Sequence, residues 1–84
     1  MSHANHVERY PGTLAELATE LGDLRYDALA TFLEELAAKL EADSLADSTR
    51  GRGKLAAALQ AASEQVAGAA EHIAKAWHIC EPHM

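Results

Sequence analysis

The residues with the clearest chemical potential lie near the C-terminal end of the chain. His78, Cys80 and His83 stand close together there, and imidazole and thiolate groups are ligands that suit zinc, copper or nickel. Cys80 and His83 have a workable chelating spacing where a chain leaves a helix, whereas His78 and Cys80 point away from one another on a helix. A metal-responsive binder is therefore one functional hypothesis, with His3 and His6 as further ligands if the chain ends meet.

The same residues also have a structural interpretation. Cys80 continues an apolar helical pattern, which predicts a small buried hydrophobic residue, and the paired ligand spacing of established zinc motifs is missing. The Met1-Ser2-His3 sequence would chelate copper or nickel only with Met1 retained, and the small Ser2 favours its removal. No cofactor is therefore expected, and metal binding stays the alternative.

The one basic cluster comprises Arg50, Arg52 and Lys54, separated by glycines. Cations, flexible glycines and the amides of a helix start favour an anion or phosphate, so an anion-binding switch is a second alternative. The sequence is not a P-loop, because Gly53-Lys54 is not followed by Ser or Thr. A solvated turn is the simpler interpretation, since residues 1–49 hold ten of the thirteen acidic residues and three of the seven basic ones.

No pattern typical of an enzyme is present. A di-iron helical bundle needs Glu-x-x-His, but Ala67 and Ala74 stand three residues after Glu64 and Glu71. No motif joins serine, histidine and aspartate into a triad. We therefore expect a protein without catalytic activity.

The longest apolar pattern lies in the last third of the chain, where residues alternate steps of four and three positions, as on an amphipathic helix. Its members are Leu55, Leu59, Ala62, Val66, Ala69, Ile73, Ala76 and Cys80. Three alanines one heptad apart would let another helix approach closely, so we expect this seam to lie in a core or a dimer interface. A close crossing would also explain Gly68. Trp77, on the flank of the seam, is expected to plug the bundle end.

Three helices are predicted, near residues 13–21, 24–47 and 53–80. Thr13 and Glu16 form a capping box at the first, and Gly22-Asp23 favours a break, with Asp23 starting the second helix. The second helix is expected to fray from Asp43 to Ser48. A short turn over 48–53 follows, and the third helix ends before Pro82.

The second helix carries its own apolar stripe: Leu29, Phe32, Leu33, Leu36 and Leu40. Tyr26 and Phe32 are expected in the core, while Arg25 and Asp27 are expected in solvent. Glu35 and Lys39 have the spacing of an ion pair on the exposed side.

Together these elements predict an all-α fold: an antiparallel helical hairpin with a short N-terminal helix, two copies of which complete a four-helix bundle. A compact three-helix monomer is the alternative. Residues 1–12 are expected to form a flexible tail, 13–81 a single helical domain, and 82–84 a C-terminal tail. A chain of 84 residues that is rich in alanine buries little apolar surface alone, and this favours the dimer.

Charge restricts the partners. A net charge of −6 and a pI near 5.2 argue against nucleic acid and anionic membranes, and no apolar stretch is long enough to span a bilayer. One cysteine fits a reducing compartment, so we expect a cytoplasmic protein. The proportions resemble those of bacterial helical-hairpin dimers. The leading hypothesis is a small non-enzymatic interaction and oligomerisation module whose partners are a second copy of itself and an unidentified protein.

Overall fold

The computed structural model describes residues 3–83, and the described chain is helical with no strand. Helix α1 spans Leu14–Gly22, α2 spans Tyr26–Thr49, and α3 spans Gly53–Cys80, followed by a 3₁₀ turn over Glu81–His83. This confirms the all-α class, the three helices and the end of α3 before Pro82. Residues 1, 2 and 84, which include the Met1-Ser2 part of the possible chelate and the ends of both tails, lie outside the described residues.

The start of α1 is fixed by the predicted capping box. The Thr13 backbone N–H donates to Glu16 Oε1 at 2.8 Å, and the Glu16 N–H donates to Thr13 Oγ1 at 3.1 Å. The bond from the Thr13 backbone lowers the pKa of Glu16, because it stabilises the carboxylate. Before the helix, the Tyr10 hydroxyl donates to the Glu20 carboxylate.

The chain breaks between α1 and α2, as predicted, but the second helix begins later than expected. Asp23 ends α1 as its C-cap, and the prediction that it starts α2 is wrong. Helix α2 begins at Tyr26 after an extended Arg25, without a side-chain cap. Asp27, in the first turn, instead accepts a hydrogen bond from the N–H of Ala28.

The turn between the long helices is built around Gly51, whose φ of +77° favours glycine. The N–H of Arg52 donates to the carbonyl of Asp47 at 2.9 Å, which caps the end of α2. The predicted fraying of α2 from Asp43 is wrong, because Ser44 and Asp47 are buried and bonded within the hairpin.

Small residues one heptad apart form the interior between α2 and α3. The buried members are Ala30, Ala37 and Ser44 on α2, and Ala56, Ser63 and Ala70 on α3. The hydroxyl of Ser44 donates to the carbonyl of Ala56 at 2.7 Å, and that of Ser63 donates to the carbonyl of Ala37 at 2.8 Å. Position numbers rise on one helix as they fall on the other, so the helices are antiparallel, as predicted.

Helix α1 does not complete a three-helix bundle, because it packs along neither long helix. The molecule measures 50 × 28 × 14 Å, and its smallest dimension fits one layer of helices. Helix α1 therefore covers neither broad side of the α2–α3 hairpin. Within residues 3–83, no helix is both long enough and apolar enough to cross a membrane.

Candidate interaction surface

One broad side of the hairpin carries most of the large apolar residues of the long helices. These residues stand one position before or three positions after a buried small residue: Leu29, Leu33, Leu36 and Leu40 on α2, and Leu55, Leu59, Ala62, Val66, Ala69 and Ile73 on α3. Ala76 continues the pattern one heptad after Ala69. In an antiparallel pair these positions of both helices lie on the same side. An open depression lined by Asp43, Asp47, Leu55 and Leu59 joins the two helices on that side. We call this surface the apolar face.

The apolar face is incompletely covered. Leu36 is 37% exposed and Leu55 is 46% exposed, while Leu33, Leu59 and Val66 are half-buried. Within residues 3–83, every buried residue is an alanine, a serine or Asp47, and no large side chain is fully buried. The hairpin thus has a well-closed interior of small residues, and the leucines beside it stay partly exposed.

The predicted seam of α3 supplies the α3 half of the apolar face. The residues that α2 buries are Ala56, Ser63 and Ala70, which we call the buried line; Ala62, Ala69 and Ala76 form the open line beside it. Ala69 is exposed, and Ala62 and Ala76 are half-buried. The role of the seam in a dimer stays a prediction.

The opposite broad side is polar. Its residues stand one or four positions after a buried small residue: Thr31, Glu34, Ala38, Glu41, Leu45, Ser48, Ala57, Gln60, Glu64, Ala67, Glu71 and Ala74. We call this side the acidic face. Leu45, 64% exposed near the turn, is its one large apolar residue among the positions named. The four glutamates and the small alanines along the rest of this side make it a poor surface for apolar contact.

The charged residues at the rim of the apolar face are paired within the chain. Lys39 Nζ lies 2.7 Å from both carboxylate oxygens of Asp43, so the expected pair of Lys39 with Glu35 is wrong. Arg52 Nη1 lies 3.3 Å from Oδ1 of Asp47. The rim therefore carries balanced charge, whereas the acidic face carries a net negative one.

The open end of the hairpin holds an arrangement that the sequence analysis missed. The guanidinium of Arg25 lies 5.3 Å from the centre of the Trp77 ring, a cation–π distance, and donates to Asp27 at 2.6 and 2.8 Å. These hydrogen bonds raise the pKa of Arg25 and lower that of Asp27. Neighbours two apart on a helix do not face each other, but Arg25 is extended and precedes the helix, which permits the pair.

The aromatic predictions have mixed outcomes. Trp77 is half-buried and lines a pocket with Arg25, Tyr26 and Cys80 at the end of the hairpin. Tyr26 is 42% exposed and Phe32 is 38% exposed, so the prediction that they lie in the core is wrong.

The candidate metal ligands do not converge. His78 and His83 are exposed, and half-buried Cys80 places its Sγ 3.6 Å from the carbonyl oxygen of Trp77. His3 lines the depression near the turn, at the end of the hairpin opposite Cys80. Across residues 3–83, no three His, Cys, Asp or Glu side chains are grouped so that they could hold a metal ion.

The basic cluster lies at the turn between α2 and α3. Arg50 and Lys54 are exposed, and Arg52 bonds to Asp47 through both its backbone and its side chain. Arg52 therefore serves the cap of α2, and its charge is already partly balanced.

The chain matches no known protein family, no curated protein and no solved structure. Its function has to be inferred from its own surfaces.

Proposed function

We propose that this protein is a non-enzymatic oligomerisation module in which two copies pack apolar face to apolar face and form a four-helix bundle. The observation that carries the proposal is the division of the hairpin into an interior of small residues and a face of partly exposed leucines. In the single chain, the side chains of Leu36 and Leu55 are only partly covered by their neighbours. Covering the part of each side chain that is still exposed contributes about 0.5–1.5 kcal/mol.

The size of the apolar face suits this role. Two helices, each about 10 Å wide and about 40 Å long, offer roughly 800 Å² per copy, the area each partner contributes to a typical stable interface. A hairpin whose buried apolar residues are all alanines is marginal alone. Association with a second copy adds the missing burial.

The charge distribution favours a second copy despite a net charge of −6. Stacking through the apolar face keeps Glu34, Glu41, Glu64 and Glu71 on the outside, far from their counterparts. The rim charges are paired through Lys39–Asp43 and Arg52–Asp47, so they add little repulsion. A cytoplasmic setting is part of the proposal, because a single cysteine fits a reducing compartment. A further protein partner is also part of it, since the acidic outer surface disfavours nucleic acid.

The test compares Leu36→Glu with Ala38→Glu by sedimentation equilibrium. Both introduce a glutamate on α2, two residues apart and on opposite faces. We expect the unmodified chain to sediment at twice 9.0 kDa and Leu36→Glu to weaken association by about 100-fold or more, because a buried unpaired carboxylate costs several kcal/mol. Ala38→Glu should associate like the unmodified chain.

Circular dichroism provides the control for folding, since Leu36→Glu must remain helical to be informative. A 9.0 kDa species of the unmodified chain at micromolar concentration, or equal effects of the two substitutions, would contradict the proposal.

A further inference from the structure

The two long helices contribute side chains of unequal size to the middle of the apolar face. Away from the turn, the positions one before a buried residue carry Leu29 and Leu36 on α2 but Ala62 and Ala69 on α3, where Ala76 follows one heptad later. Near the turn the same positions carry Asp43 on α2 and Leu55 on α3. At these positions away from the turn, the side chains of the apolar face are therefore larger on α2 than on α3. A second copy packs best when its large side chains lie over the small residues of the first copy, because protein interiors leave few gaps.

The serine bonds fix the heights of these residues along the hairpin. Ser44 lies beside Ala56 and Ala37 beside Ser63, so the position numbers of facing residues add up to about 100. Leu36 is consequently level with a point on α3 between Ala62 and Ala69. Leu29 is level with a point between Ala69 and Ala76.

From this register we infer that the two-fold axis of the dimer, which rests on the function proposed above, runs parallel to the helices. Such an axis keeps each residue at its height and exchanges the sides of the hairpin, so α2 of one copy lies over α3 of the other. Leu36 then enters the hole between Ala62 and Ala69 of the second copy, and Leu29 enters the next hole, as knobs enter holes in a coiled coil.

The other way to stack the apolar faces uses an axis perpendicular to the helices. It places α2 over α2 and α3 over α3, so the leucines of α2 face leucines while the alanines of α3 face alanines. The bulky pair holds the copies apart, and a gap remains between the alanine-lined helices. The loss of contacts across that gap disfavours this arrangement.

The two arrangements differ in where the turns lie. The parallel axis places both turns at one end of the bundle, and the perpendicular axis places them at opposite ends. Since α3 has 28 residues and each adds about 1.5 Å, turns at opposite ends are separated by about 40 Å or more. Turns at the same end are separated by about the width of the bundle, roughly 20–30 Å with flexible labels.

The experiment measures the distance between nitroxide labels on the two copies by pulsed electron spin resonance. A label at Ser48→Cys in a Cys80→Ser background reports the turn, and Arg50→Cys serves as a second label site if the first disturbs the end of α2. We expect one distance of about 20–30 Å at both sites. Adding Leu36→Glu should remove the coupling.

The outcomes separate the two proposals. A distance near 40 Å would overturn the parallel axis while leaving the dimer intact. No coupling between copies, with a monomer in sedimentation, would overturn the proposed function itself.

Discussion

Two lines of small residues run side by side along α3 but differ in how far they are covered. The buried line, Ala56, Ser63 and Ala70, is covered by α2 of the same chain, and Ala70 is only 2% exposed. The open line, one residue earlier in each heptad, stays accessible at Ala69. The comparison teaches that small residues at heptad spacing indicate a close helix contact without telling which neighbour makes it.

The difference between the two lines originates in α2. Ala37 and Ser44 allow close approach on one line, and the serine hydroxyls reach across to carbonyl groups of the opposite helix. Leu33 and Leu36 beside them are too large for such an approach and turn toward the apolar face. The interior therefore selects small residues on both helices at once, whereas the apolar face combines large residues with small ones.

The strongest test of this comparison inserts the same bulk into each line. Ala70→Leu overfills the interior, so we expect it to lower the free energy of unfolding by about 1–3 kcal/mol. Ala69→Leu, on the neighbouring residue, should change it by less than about 0.5 kcal/mol in the hairpin. Urea denaturation followed by circular dichroism measures both in the Leu36→Glu background, where no association is expected, because association would otherwise add to the unfolding free energy. Equal losses of unfolding free energy for the two substitutions would contradict the difference in packing between the buried line and the open line.

A smaller effect is expected from the hydroxyl of Ser63. Ser63→Ala removes its bond to the Ala37 carbonyl without adding bulk, so stability should fall by about 1 kcal/mol. Ser48→Ala, at an exposed position of α2, is the control and should be nearly neutral. The same denaturation measurement applies. If Ser63→Ala is also neutral, close packing alone would account for the buried line.

The smallest change concerns Gly68, where an added Cβ would meet no atom within 4 Å. Within the hairpin the close crossing expected from the sequence is not found, so Gly68→Ala should raise the stability by about 0.5–1 kcal/mol through helix propensity. Ala61→Gly, one heptad earlier, should lower it by a similar amount. A loss of association in Gly68→Ala, measured by sedimentation, would show that the second copy contacts α3 at Gly68, outside the apolar face.

Much of the fold follows from local sequence signals. Thr13 and Glu16 specify the start of α1, Gly51 sits in the turn between the long helices, and Pro82 follows the end of α3; each acts through its own backbone geometry. The helix bounds were therefore predictable to within about two residues, an ordinary uncertainty for helix ends. The exception is Asp23: it is a preferred N-cap residue, but α2 begins after Arg25, which makes no side-chain cap bond and so leaves no N-cap signal in the sequence.

The assignment of surfaces was less predictable. The alternation of Leu55, Leu59, Ala62 and Val66 correctly marks an apolar surface, but it does not reveal that Ser63, a polar residue, lies in the interior. A serine that bonds to a carbonyl of another helix cannot be distinguished from a solvated one by spacing. The contact of Arg25 with Trp77 was equally hidden, since it joins residues far apart in the chain.

The two serine bonds also determine which changes the hairpin can accept. The two bonds lie about two helical turns apart, so both form only when α2 and α3 keep the same register along their length. Adding or removing one residue between Ala56 and Ser63 would rotate the remainder of α3 by about 100° and carry Ser63 away from its acceptor. Over evolutionary time the hairpin should therefore accept exchanges of residue type along its outer surfaces far more readily than any change in the length of its paired segments.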